Sequence, residues 1–180
     1  LPMLENFGLR VIGETPYAVK CADGSVSWIL NFAMELNCAI PADFEAAQQS
    51  FQDSFAKVWA GQLEDDGFNR LILGAGLSGR EASLLRALAK YKRQIGGTFS
   101  QSYVESTFAR YVELANLLVQ LFNNKFDPKS KASSKVADKL EEQIASQLEN
   151  VANLDDDRIV RRFVDMIKAI LRTNYFQKNA

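Results

Sequence analysis

The segment from Leu71 to Glu81, LILGAGLSGRE, constrains this chain more than any other, because two incompatible architectures share its pattern. In the first, an apolar strand runs into Gly74, Gly76 and Gly79, spaced as GxGxxG, and a helix follows. That arrangement binds a dinucleotide: the glycines permit a tight turn and let the backbone approach a pyrophosphate at a helix N-terminus. In the second, Gly74 and Gly76 end one helix and Ser78 caps the next, with Glu81 completing an S-x-x-E capping box.

The flanking sequence favours the second reading. A nucleotide fingerprint needs a βαβ unit and an acidic residue about 20 positions on, at the end of the second strand. Here LLRALAKYKRQ extends the helical pattern to about Ile95. Gly96-Gly97-Thr98-Phe99-Ser100 then leads into another helical pattern, and no Asp or Glu stands between Glu81 and Glu105. Gly74, Gly76 and Gly79 are therefore expected to form a helix–turn–helix corner. No cofactor-binding residue is assigned, and the GxGxxG is judged accidental.

Catalytic and metal chemistry find little material. Histidine is absent, which removes Ser–His–Asp and Cys–His catalysis and every histidine-based zinc site. Cys21 and Cys38 are the only cysteines, too few for a Cys₄ site, and each is expected to be a small buried thiol in or beside a strand. Glu64-Asp65-Asp66 and Asp155-Asp156-Asp157 read as a solvated turn and a helix N-terminal charge run, since adjacent carboxylates do not converge on one ion. Basic residues gather on two helices: Arg80, Arg86, Lys90, Lys92 and Arg93 on one, Arg158, Arg161, Arg162, Lys168 and Arg172 on the other. Both helices also carry apolar faces, so these charges are expected on exposed polar faces. The net charge of −1 offers no general attraction for nucleic acid or an anionic membrane. No apolar run approaches the ~18 residues of a membrane span, and no signal peptide is visible. Catalytic, cofactor-binding and metal residues are each expected to be none.

Along the chain the pattern changes once. LPMLENFG reads as the last turns of a helix closed by Gly8. LRVIGETPYAVKC and SVSWILNFAMEL read as strands joined by Ala22-Asp23-Gly24-Ser25, a strong hairpin signal. A two-stranded hairpin is marginal alone, so residues 1–40 look like a truncated α+β piece. From Pro41 the spacing is helical. Phe44, Phe51, Phe55, Val58 and Trp59 form one stripe, with Phe51, Phe55 and Trp59 expected in a core. Leu84, Leu85, Leu88, Tyr91 and Ile95 form another, and Leu114, Leu117, Leu118, Leu121 and Phe122 a third. Asp127-Pro128 ends this helical region, residues 41–127. Residues 128–180 read as a polar linker, PKSKASSK, and an antiparallel helical hairpin. Its first helix carries Val136, Leu140, Ile144, Leu148 and Val151. Its second starts near Asp155 and carries Ile159, Phe163, Met166, Ile167, Ile170 and Leu171. The fold class is thus mainly α: a helix and β-hairpin, then a multi-helix bundle and a long helical hairpin.

Gly67 to Phe108, GFNRLILGAGLSGREASLLRALAKYKRQIGGTFSQSYVESTF, closely resembles the large bacterial NAD-specific glutamate dehydrogenases, which carry "FNxLxLxAGLxWREVxLLRAxxxYLRQ…FSQxYI". LPMLENFGLRVIGETPY is similar to their "LPxLENxGLxVxxExPY", LFNNKFDP to "LFxxxFDP" and ILRTNYFQ to "LRTNxFQ". The matches run in order over nearly the whole chain. Gly79 departs from the pattern, where Trp is usual, and Gly74 does too, where Ala is common. Together these two departures create the GxGxxG.

The resemblance implies that residues 1–40 are a truncated ACT-like piece. It also implies that the segment lies just N-terminal to the catalytic region, whose glutamate-binding lysines and Rossmann fold lie beyond the end of the sequence. It implies a parent enzyme that oxidatively deaminates L-glutamate to 2-oxoglutarate and ammonia, with NAD as its cofactor. This segment, itself without a cofactor, would serve scaffold, oligomerisation or regulation. Its partners would be the rest of the polypeptide, other subunits of a homo-oligomer and an amino-acid effector, with no nucleic acid or membrane, in the cytoplasm. The competing reading is a stand-alone helical interaction module without enzymatic role. A start inside a helix at Leu1 and a stop at Gln177-Lys178-Asn179-Ala180 without a terminating signal are not expected of such a module.

Overall fold

The computed structural model describes residues 1–37, 43–129 and 132–177. Cys38 and Pro41 lie outside these residues, as does the middle of the expected linker. The architecture is mainly α, with one antiparallel hairpin following a short first helix.

Helix α1 (Pro2–Asn6) starts on a proline and stops at Gly8, whose φ of 82° is open to glycine at little cost. The reversal points Phe7 inward, where it is fully buried. It also delivers the chain into β1 (Leu9–Lys20), which pairs antiparallel with β2 (Val26–Leu36) from Leu9↔Leu36 to Lys20↔Val26. The turn is tied by the Asp23 carboxylate, which accepts from the Ser25 amide at 2.9 Å, and by Gly24 at φ 83°. A bulge between Val11 and Gly13 shifts the register, and extra residues of this kind increase local twist. Only the base of the hairpin is covered. Leu9, Val11, Phe32 and Leu36 join Leu4, Ala47 and Leu73 in a small core, while Tyr17, Trp28, Ile29 and Leu30 stay exposed.

Cys21 ends β1 half-exposed, not buried as expected. The turn leaves it at the rim, where its Sγ meets the Ser27 hydroxyl at 3.5 Å. Hydrogen bonds from Ser27 and then Ser25 hold its thiol below the usual value.

Helix α2 (Phe44–Trp59) is capped by Asp43, whose carboxylate accepts from the Ala46 amide at 3.0 Å. Val58 is buried, and Phe51 and Phe55 pack on Phe7 with ring centroids at 5.1 and 6.1 Å. Trp59 does not enter a core. It is 77% exposed and lies over Phe55, while Val58 in the same turn takes the buried face. The helix that Gly74 and Gly76 were expected to end begins as a 3₁₀ turn, Gly67–Asn69, and continues into α3 (Arg70–Gly74).

Four longer helices and one shorter helix complete the chain: α4 (Gly79–Gln94), α5 (Gln101–Arg110), α6 (Val112–Phe126), α7 (Ser134–Leu148) and α8 (Leu154–Ala169). Asp127 is extended before Pro128 and ends α6, as the sterics of that pair require. Helix α8 starts one residue earlier than Asp155, because the Asn153 side chain caps it by accepting from the Asp155 and Asp156 amides.

One continuous core joins α3 through α8. Phe68, Leu71, Leu85, Phe108, Leu114, Leu118, Phe122, Leu140, Ile144, Phe163 and Ile167 all belong to it. Helices α7 and α8 both rest on α6, so the closing helical hairpin straddles that helix. Tyr91, Ile95 and Val136 sit exposed outside this core, and Leu171 lies beyond it because α8 ends at Ala169 and the chain is extended from Ile170.

Phe108 and Phe163 meet edge to face with centroids 4.7 Å apart at the middle of this core. Phe163→Ala is expected to cost about 3–5 kcal/mol. Urea unfolding followed by helical circular dichroism checks it, and α3 to α8 are expected to melt in one transition.

Candidate functional site

The three glycines of the GxGxxG meet at the corner between α3 and α4. Ala75 donates back to the Leu71 carbonyl at 2.9 Å and ends α3, and Gly76 takes φ 66° to turn the chain. Leu77 is buried by that turn. Ser78 then opens α4. Its hydroxyl accepts from the Glu81 amide at 3.3 Å, and the Glu81 carboxylate accepts from the Ser78 amide at 2.8 Å. Two N–H groups that would otherwise face outward are thus satisfied inside the helix. Gly79 faces α2: a Cβ there would stand 2.6 Å from Ser54 Oγ and 3.2 Å from the Leu63 Cδ2 methyl. The close approach that its missing side chain permits is to a protein neighbour. The segment before the turn is a helix, and the hairpin is the only sheet among the described residues.

A buried polar network lies one helical turn further along, and sequence reasoning missed it. Arg86 is 3% exposed. Its Nε donates to Asp66 Oδ2 at 2.7 Å and its Nη2 to Asp66 Oδ1 at 2.9 Å, a two-pronged pair. The same guanidinium donates to Ser83 Oγ at 3.0 Å and Asn69 Oδ1 at 2.8 Å. Gln101 on α5 donates to Asp66 at 3.1 Å and to Glu105 at 2.8 Å. Asp66 also caps the 3₁₀ turn by accepting from the Phe68 amide.

The expectation of a solvated turn at Glu64-Asp65-Asp66 is thereby corrected. Glu64 pairs with Lys90 and Asp65 accepts from Asn6, but Asp66 turns inward. Arg86 likewise leaves the exposed basic face to which it was assigned. The signal was present in its spacing: it stands four residues after Ala82 and three before Ala89, on the buried stripe of α4.

Asp155-Asp156-Asp157 divides in the same way. Asp155 and Asp157 pair with Arg158 and Arg161 on the surface of α8. Asp156 is fully buried, accepting from the Thr107 hydroxyl at 3.0 Å and from Arg110. Its position three residues before Ile159 and seven before Phe163 places it on the apolar face. The Arg110 guanidinium is pushed up by the adjacent Asp156 charge. Among the remaining basic residues, Lys168 pairs with Glu141 at 2.7 Å, and Arg162 lies 3.7 Å from Asp165. The described residues contain no cluster of histidine, cysteine and carboxylate groups able to hold a metal ion, and no helix long and apolar enough to cross a membrane.

The last described residues return to the glycine corner. Lys125 at the end of α6 donates to the carbonyls of Ile167, Lys168 and Ile170 at 3.1, 2.6 and 2.8 Å, answering the negative end of α8 with a cation. The strap that follows lays Tyr175 and Phe176 on Phe122, with centroids at 5.3 and 6.2 Å. Arg80, in the first turn of α4, donates to the Tyr175 carbonyl and covers its ring at 4.8 Å. Burial, aided by the Glu81 charge, pushes the Tyr175 hydroxyl up to about 12.

Glu105 is the carboxylate whose titration this network shifts upward, first through burial and then through the Asp66 charge, against a hydrogen bond from Gln101. Its folded pKa exceeds the unfolded one. The cost of its charge is therefore fully present above the folded pKa, and it disappears as pH falls below the unfolded value. Glu105→Gln is expected to raise the urea midpoint at about pH 7 and to lose that advantage at about pH 3, where Glu105 is itself protonated. Paired denaturation curves at the two pH values check both signs.

Comparison with known proteins gives three family models in chain order. Residues 1–48 match the glutamate dehydrogenase ACT3 domain. Residues 63–128 match glutamate dehydrogenase helical motif 3, and residues 143–180 match the catalytic domain of bacterial NAD-glutamate dehydrogenase. The chain is 42% identical to an NAD-specific glutamate dehydrogenase of Halomonas elongata over 178 residues, 99% of this chain and 11% of that protein. It is 40% identical to one from Pseudomonas aeruginosa and 38% to one from Mycobacterium tuberculosis. Each match covers 98% of this chain and 11% of the relative. The chain thus spans about a tenth of the length of the curated relatives it matches. The ACT-like hairpin, the helical motif and the closing helices follow the order of these models, and the chain belongs to the family of the bacterial NAD-specific glutamate dehydrogenases.

Proposed function

We propose that this segment is a mechanical connector in an NAD-dependent glutamate dehydrogenase and supplies no catalytic group. The parent enzyme would oxidise L-glutamate to 2-oxoglutarate and ammonia and reduce NAD. The observation that carries the reading is the continuity of packing. Phe7, in the ACT3-matching part, packs with Ile72 of the helical motif. Phe108 and Phe122 of that motif pack with Phe163, Tyr175 and Phe176 in the stretch matching the catalytic domain. A displacement at the hairpin base would therefore reach the catalytic side through side chains in contact. Gly74, Gly76 and Gly79 serve the corner, not a nucleotide.

The purified chain is expected to reduce no NAD when given glutamate, and calorimetric titration with NAD is expected to give no heat of binding. Turnover above a contaminant control would sink the proposal, as would NAD binding that disappears in Gly76→Val.

The same reading assigns the exposed hairpin to contacts with other parts of the enzyme. Trp28 is 62% exposed, and both strands offer unpaired edges that favour pairing with another chain. In isolation the chain is expected either to self-associate through β1 and β2 or to exchange its hairpin amides fast. Light scattering and hydrogen exchange check this. A monomer at high concentration with strongly protected hairpin amides would contradict it.

A further inference from the structure

We propose that a cavity between α4, α5 and α8 is a binding site for a small amphipathic anion, with a short apolar tail inside and the charge at the mouth. Ala89, Phe99, Val104, Ile159 and Phe163 form the apolar interior, which encloses about 40 Å³. A water-sized group needs roughly 10–15 Å³, so the space takes a tail of about three carbon groups. An apolar cavity of this kind stays dry and accepts apolar atoms in preference to water.

The mouth decides the head group. Lys92, Arg93 and Arg162 line it. Lys92 and Arg93 have no acidic partner among the described residues. Arg162 faces Asp165 only at 3.7 Å, with both side chains largely in solvent. No carboxylate lines the cavity itself, so an ammonium group finds no counter-charge there. A carboxylate or phosphate ester on a short aliphatic chain matches both the interior and the mouth.

The chain is shaped to keep this space. Gly96 takes φ 92° after α4, and the Gly97 amide donates to the Lys92 carbonyl at 2.9 Å. A Cβ on Gly97 would stand 2.8 Å from that carbonyl oxygen, so this turn admits only glycine there. The tight reversal brings Phe99 back as one wall and starts α5 beside the mouth.

Butyrate is the probe, with butanol as its uncharged equivalent, and amide NMR shifts are the readout. Butyrate is expected to shift Phe99, Val104 and Phe163 and to bind at least fivefold more tightly than butanol. Lys92→Gln and Arg162→Gln, both on the rim and away from the packed core, are expected to weaken butyrate severalfold and leave butanol unchanged. Ala89→Val, which fills the cavity, should abolish both. Equal binding of butyrate and butanol would overturn the proposal. So would shifts that survive Ala89→Val, or no shifts with a folded protein.

Discussion

A buried guanidinium can persist only where its charge and its N–H groups are answered. Losing one partner of such a pair leaves the other uncompensated, at a cost of about 3–5 kcal/mol. Arg86 meets this condition through Asp66, Asn69 and Ser83, and the geometry those partners need fixes a large part of the fold. Asp66 must sit at the start of the 3₁₀ turn, so the chain before α3 is held against α4. Gln101 extends the same network to α5. Three segments distant in sequence are thus registered by directional bonds before the apolar packing around Phe108 and Phe163 is counted. Apolar packing alone supplies cohesion without that directional registration.

The two ends of the molecule differ in how completely they are satisfied. Along α6 the apolar residues from Leu114 to Phe122 pack into the main core, and the carbonyls at the end of α8 are answered by Lys125, while Asn123 Oδ1 is the buried side-chain atom left without a partner among the described residues. At the hairpin, the apolar residues of both faces lie open from Tyr17 to Leu30. Stability is therefore unevenly distributed. The helical part carries its own core, and the hairpin depends on its base, where Leu9, Phe32 and Leu36 reach Leu73.

Much of this was legible in the sequence, and for identifiable reasons. Ser78 and Glu81 announced the start of α4 because a capping box uses a fixed spacing. Asp127-Pro128 announced the end of α6 because the sterics are local. Gly8 and Asp23-Gly24 marked turns that few other residues tolerate. The losses came where burial depends on a distant partner. Arg86, Asp66 and Asp156 read as surface charges, since nothing local reveals a countercharge 20 or 46 residues away. Leu171 read as part of an apolar stripe because the pattern does not show that α8 stops at Ala169, and Trp59 and Tyr91 did so because periodicity gives the face of a helix but not how far its neighbour extends. The cavity beside Phe99 was invisible for the same reason: its walls come from three separate helices and a turn.

The contact between Gly79 and Ser54 bears on how this chain has been free to vary. A Trp at position 79, as in the pattern the sequence resembles, would have to enter space that Ser54 and Leu63 occupy. The side chains that positions 54, 63 and 79 can carry are therefore sterically coupled. A bulky residue at 79 would require Ser54 and Leu63 to give way, and the GxGxxG would vanish with it. Close packing of α4 against Ser54 and Leu63 is thus by itself a steric demand for glycine at the last position of the GxGxxG.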